Sequence, residues 1–109
     1  MGAMLEEVEP FLQLSEHEPL LKYFKKHNDM EYGANIYHEA KYKNLDIVLG
    51  YSKIGKVYAS LTAATMIEKF GADMLLFTGV AGGINPKLKI GDLIAATQLC
   101  QHDLDITAF

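Results

Sequence analysis

Between Ile54 and Leu99 the hydrophobic period changes twice, and this constrains the fold more than any other feature of the sequence. Val57, Leu61, Ala64 and, one turn on, Ile67 or Glu68 follow the i, i+4, i+7 spacing of a helix, with Gly71 where a helix stop belongs. Residues 73–77 are short and almost wholly apolar, the pattern of a strand buried on both faces, and residues 93–99 repeat it. Strand, helix and strand in succession form a βαβ unit. The spacing therefore predicts an α/β fold with a mainly parallel sheet covered by helices.

Upstream, Leu5, Val8, Leu12 and Phe11 recur at helical spacing, with Glu6, Glu7 and Glu9 crowding the first turns. This predicts an amphipathic helix ending near Pro19. Leu21 and Phe24, three apart, predict a second short helical piece over residues 20–27, broken by Asn28-Asp29. Residues 35–41 alternate Ile36, His38, Ala40 against Tyr37, Glu39, Lys41, and residues 46–51 are a compact β-branched run. Together they predict a β-hairpin turning at Lys43-Asn44.

At 109 residues the chain is read as one unit, 1–109, with 50% hydrophobic and 22% charged residues, a globular composition. The net charge of −4 and the scattered lysines, densest at Lys25-Lys26, argue against nucleic acid or an anionic membrane as partner. No apolar run approaches the roughly 18 residues of a membrane span. The acidic start lacks a signal-peptide core, so a cytoplasmic protein is expected. Cys100, the single cysteine, lies in an apolar stretch and is expected to be reduced and buried.

In open α/β sheets, ligands sit beyond the carboxyl ends of strands. Three segments fall there: Ser52-Lys53-Ile54-Gly55-Lys56, the bend from Thr78 to Gly83, and residues 101–109. The bend, Gly79-Val80-Ala81-Gly82-Gly83, lacks the G-x-G-x-x-G spacing, and Lys87 is not followed by Ser or Thr. All ten basic residues are Lys, so no guanidinium fork is present to grip a phosphate bidentately. Two readings stand: a pocket wall for a mostly uncharged ligand, or a backbone turn with no ligand.

Gly2-Ala3-Met4 with Glu6-Glu7-Val8, Ser52-Lys53-Ile54-Gly55-Lys56-Val57, Thr78-Gly79-Val80-Ala81-Gly82-Gly83 and His102-Asp103-Leu104-Asp105-Ile106-Thr107-Ala108-Phe109 occur in a characteristic order and spacing. In this the chain resembles the bacterial 5′-methylthioadenosine/S-adenosylhomocysteine nucleosidases of the nucleoside phosphorylase superfamily. The match corresponds to the amino-terminal half of such an enzyme. The resemblance implies a three-layer αβα fold with a mixed, mainly parallel sheet of the nucleoside phosphorylase type, incomplete in this chain. It also implies hydrolysis of an N-glycosidic bond, releasing adenine, without metal or cofactor, as part of methionine salvage.

Such chemistry needs a water made nucleophilic beside a ribose that develops oxocarbenium character, and an acid for the departing base. By resemblance Glu7 is the carboxylate that activates the water; taken alone, it is equally an acidic residue favoured by a helix dipole. Met4 and Ile54 match positions lining the ribose and 5′-substituent, or pack as ordinary core. Val80, Ala81 and Gly82 match the segment lying against the nucleoside; many members carry Ser where Val80 stands, so no hydroxyl contact comes from it here. Ile106 and Phe109 match residues reaching into the neighbouring subunit of a homodimer. His102 and Asp103 are either functional or a loop that hydrogen-bonds itself.

The resemblance also places the catalytic acid and the ribose-holding Met-Glu pair outside this sequence, so the 109-residue chain by itself is expected to be inactive. Nothing in it decides between methylthioadenosine, S-adenosylhomocysteine and aminodeoxyfutalosine. The alternatives are phosphorolysis, disfavoured by the lack of Arg, and a non-catalytic fragment whose open strand edges recruit a partner.

Overall fold

The computed structural model describes residues 1–12 and 23–107. Helix α1 (Leu5–Leu12) is followed by strands β1 (Phe24–Tyr32), β2 (Asn35–Tyr42) and β3 (Leu45–Gly50), then helix α2 (Lys56–Glu68). The strands form one antiparallel sheet in the order β1-β2-β3.

The hairpin expected from the alternation is present as β2 and β3, and it turns at Lys43-Asn44 with Lys43 at φ 54°. β1 and β2 meet through a second two-residue turn, Gly33-Ala34, in which both residues have positive φ, 58° and 63°. That is the backbone hand matching the twist of paired strands.

The helix expected over residues 20–27 is a correction: 20–22 lie outside the described residues, and Phe24 onward is strand. A spacing of three between two apolar residues does not outweigh pairing along β2, which buries Phe24 and leaves Lys25 and Lys26 in water. Asn28-Asp29 does not end the segment either. It sits at a bulge between Lys26 and Asn28, where Asn28 bonds Glu39 at 2.6 Å and Asp29 bonds His38 at 2.6 Å. Asp29 lies below its ordinary pKa because Lys26 and His38 hydrogen-bond its carboxylate. The predicted first helix is seen as α1; its expected continuation toward Pro19 lies outside the described residues.

α2 ends as the sequence predicts, with Gly71 left-handed (φ 67°) and its N–H on the Ile67 carbonyl at 3.1 Å. The face turned inward is not the Val57-Leu61 stripe, which is exposed, but Thr62, Thr65 and Met66. Thr62 is suited to this place because Asn35 of β2 donates its side-chain N–H to the Thr62 hydroxyl at 3.1 Å, in the interior. Tyr37 stacks at a tilt on Phe70, centroids 5.1 Å apart. A Cβ on Gly50, at the end of β3, would meet Met66 Cε at 3.1 Å and Tyr37 Cδ1 at 3.4 Å, so a hydrogen there lets the helix close on the sheet. Met66 is fully buried among these groups. Met66→Ala is expected to cost about 2–5 kcal/mol in denaturant unfolding of the full-length protein. A loss below about 1 kcal/mol would show that this interface does not hold α2.

The parallel part of the sheet is short. Gly2 donates to Gly50 O at 3.1 Å and accepts from Ser52 N–H at 2.8 Å, a parallel bridge opposite Tyr51. On the other side, the Met1 ammonium donates to Leu76 O and Thr78 N–H to Met1 O at 3.0 Å, again in parallel sense. The first two residues therefore lie between the end of β3 and residues 76–78. The ladders expected along 73–77 and 93–99 are otherwise not formed among the described residues. A strand apolar on both faces needs cover on both, and here Leu76 and Leu93 are 73% and 98% exposed. Cys100, expected to be buried, is exposed for the same reason. The radius of gyration, 16.1 Å, exceeds the roughly 13 Å of a compact chain of about 100 residues.

Candidate active site

Glu7 is the third residue of α1, the position from which a Glu side chain can curl back over the helix start. Its Oε2 accepts N–H bonds from Ala3 at 2.7 Å and Met4 at 3.0 Å. Up to this point the arrangement is ordinary capping. The other oxygen, Oε1, accepts the N–H of Val80 at 3.1 Å, from 73 positions away in the chain. The carboxylate thus joins the helix start to the glycine bend.

Two glycines make room for it. A Cβ built on Gly79 would overlap the Glu7 carboxylate, and one on Gly2 would meet Glu7 Cβ at 2.9 Å. Both backbones are brought in by the parallel pairing of Met1 and Gly2 described above. The N–H donors of Met4, Val80 and Ala3 hold the Glu7 carboxyl below its ordinary value, against a smaller upward push from desolvation. Glu7 is therefore a carboxylate at neutral pH. A carboxylate has about four acceptor positions. Among the described residues three are used, and one position on Oε1, the oxygen facing the bend, can take a water's proton.

The structure thus ties Met4 and Val80 to Glu7 directly, through their backbones. Ala81 and Gly82 follow in the exposed bend, and nothing lies within 4 Å of a Cβ built on Gly82, so a flat ligand can approach the backbone there. Ile54 and Ile106 are 76% and 65% exposed, and neither bonds Glu7. Phe109 lies outside the described residues. Gly2 and Gly79 were missed as site residues by sequence reasoning. The signal for Gly79 was its place at the junction of the 73–77 run and the bend. Among the described residues no group of three or more His, Cys, Asp or Glu is arranged to hold a metal, and no helix is long and apolar enough to cross a membrane.

The ionised glutamate that caps the start of α1 and is held against the glycine bend is the candidate site of this chain. Residues 1–109 match the phosphorylase superfamily, and the chain belongs to it. It is 56% identical over 109 residues to an aminodeoxyfutalosine nucleosidase of Campylobacter jejuni, covering 100% of this chain and 44% of that protein. A solved 5′-methylthioadenosine/S-adenosylhomocysteine nucleosidase of Campylobacter jejuni is similar with a TM-score of 0.82 at 55% identity, covering 98% of this chain and 43% of its own. A futalosine hydrolase of Helicobacter pylori gives a TM-score of 0.85 at 42% identity, with 98% and 42% covered. The chain therefore has the nucleoside phosphorylase-type fold that its motifs predict, and spans less than half the length of these relatives. Among the described residues β1, β2 and β3 pair along their length, whereas pairing near residues 73–77 is confined to Met1 with Leu76 and Thr78.

Proposed function

We propose that the protein, at its full length, hydrolyses the N-glycosidic bond of adenine nucleosides bearing a 5′-substituent, with Glu7 activating the water. The observation that carries this reading is the Glu7 carboxylate, held ionised by backbone N–H groups from both the helix start and the bend, with acceptor capacity left on Oε1. The names of the relatives support this substrate class: 5′-methylthioadenosine, S-adenosylhomocysteine or aminodeoxyfutalosine. In this reading Met4 and Ile54 give apolar walls to the sugar and its 5′-group, and Val80, Ala81 and Gly82 lie along the nucleoside. Ile106 and Phe109 reach across a homodimer interface, no cofactor or metal takes part, and the reaction belongs to cytoplasmic methionine salvage.

The test is adenine release by the full-length protein from methylthioadenosine and aminodeoxyfutalosine, with and without phosphate. Water is the expected nucleophile, because ten lysines and no arginine leave this half of the site without a bidentate phosphate grip. The sugar product should stay unphosphorylated in phosphate buffer. A ribose 1-phosphate product would move the protein to phosphorolysis. The 109-residue chain by itself should release no adenine.

A further inference from the structure

Between the end of β3 and the start of α2 the chain turns through Ser52, Lys53, Ile54 and Gly55, and the backbone of that turn is unusual. Lys53 has φ 69°, the left-handed region in which a Cβ crowds the following carbonyl oxygen. In a residue other than glycine such a conformation persists only where its surroundings hold it. Three contacts do so here. The hydroxyl of Ser52, a fully buried residue, donates to the Lys53 carbonyl at 2.8 Å and so fixes the peptide plane that leads into Ile54. The Lys53 ammonium donates to the carbonyl of Ala34, in the β1–β2 turn, at 3.4 Å, and lies over the Tyr58 ring, 5.8 Å from its centroid.

The near end of the turn is anchored on the site itself. Ser52 N–H donates to Gly2 O at 2.8 Å, and Gly2 lies against Glu7, where an added Cβ would meet Glu7 Cβ at 2.9 Å. Ile54, two residues on, is 76% exposed, and a Cβ built on Gly55 meets nothing within 4 Å. With so little packing to steer it, Ile54 takes its direction from the backbone of Lys53. We infer that Lys53 is a positioning residue: its side chain clamps the turn to the β1–β2 connection while its backbone is held left-handed, and this sets where Ile54 stands as the apolar wall beside the 5′-substituent. The inference deepens the nucleosidase reading and rests on it. Because the clamp is exposed, its effect is on local order and not on global stability.

The experiment compares the full-length wild type with Lys53→Ala, Lys53→Gly, Lys53→Arg and Ser52→Ala. Backbone nitrogen relaxation should show the order parameters of Ile54 and Gly55 falling from about 0.85 toward about 0.6 in the two alanine variants. KM for methylthioadenosine should rise about three- to ten-fold in the same variants while kcat stays within about two-fold, because an apolar wall is misplaced and Glu7 is untouched. Lys53→Gly loses the clamp but adopts positive φ without steric cost, so it should fall between Lys53→Ala and wild type. Lys53→Arg keeps a cationic donor for Ala34 and a partner for the Tyr58 ring, and should stay close to wild type in both readouts. Unchanged order parameters in both alanine variants overturn the clamp, as does a Lys53→Arg variant that behaves like alanine; lowered order parameters with an unchanged KM overturn the positioning role. A wild type that releases no adenine overturns the nucleosidase reading and the positioning role with it, while relaxation still decides the clamp.

Discussion

Glu7→Gln in the full-length protein is expected to lower adenine release by roughly two to four orders of magnitude, with binding of substrate little changed. The amide keeps the size of the side chain and, through its carbonyl oxygen, one set of acceptors. It loses the negative charge that takes the water's proton. It also carries an N–H₂ that must face the N–H donors of either Ala3 and Met4 or Val80, so two bonds or one turn repulsive. A variant within a few-fold of wild type would remove Glu7 from the reaction. The pH dependence has a defined sign. Because the folded pKa is lowered, the carboxylate contributes stability that is fully present above its unfolded value near 4.5 and is lost as pH falls through the lower folded value. The Glu7 limb of the rate profile should therefore lie on the acid side of pH 4.5, with no Glu7 titration near neutrality.

Gly79→Val is expected to lower kcat about as far as loss of the carboxylate does, roughly a hundred-fold, although residue 79 contributes no reacting group. Any Cβ at this position enters the space of the Glu7 carboxylate. Either Glu7 leaves its three donors or the bend moves away, and both break the Val80 N–H bond. Gly79→Ala should lower kcat in the same direction, since its Cβ alone overlaps Glu7 Oε1 and approaches Glu7 Cδ to 2.9 Å, too close for the carboxylate to keep its place. A crystal structure of the alanine variant with Glu7 unmoved and kcat near wild type would show that the bend, and not the glutamate, yields without consequence. Gly83→Ala serves as the control, because a Cβ there meets only Leu88, at the ordinary contact distances of 3.7 and 3.8 Å.

The two variants also separate what could be read from the sequence from what could not. Glu7 was legible through its motif, and its chemistry through the carboxylate. Its partner Val80 was legible as part of the bend, but the contact is made by a backbone N–H, which every residue except proline possesses and no sequence pattern distinguishes. Gly79 was legible as part of a turn, whereas its size matters for a side chain 72 residues away. The expected helix near Phe24 failed because one apolar pair fits more than one period, and only the partner strand β2 decides between them.

By itself the sequence determined the elements whose signals are local. The β2–β3 hairpin follows from alternation and a two-residue turn, and α2 follows from its length and its left-handed Gly71. The four ordered motifs determined the family. Tertiary structure alone decided which face of α2 turns inward, because apolar residues surround that helix and only the fit of Thr62 to Asn35 and of Met66 to Gly50 distinguishes one side. It alone placed Met1 and Gly2 between β3 and residues 76–78, since parallel pairing is made of backbone bonds between distant segments and leaves no periodicity to read. It alone brought Lys56 to Asp103, because attraction between opposite charges depends on distance in space and not on distance along the chain.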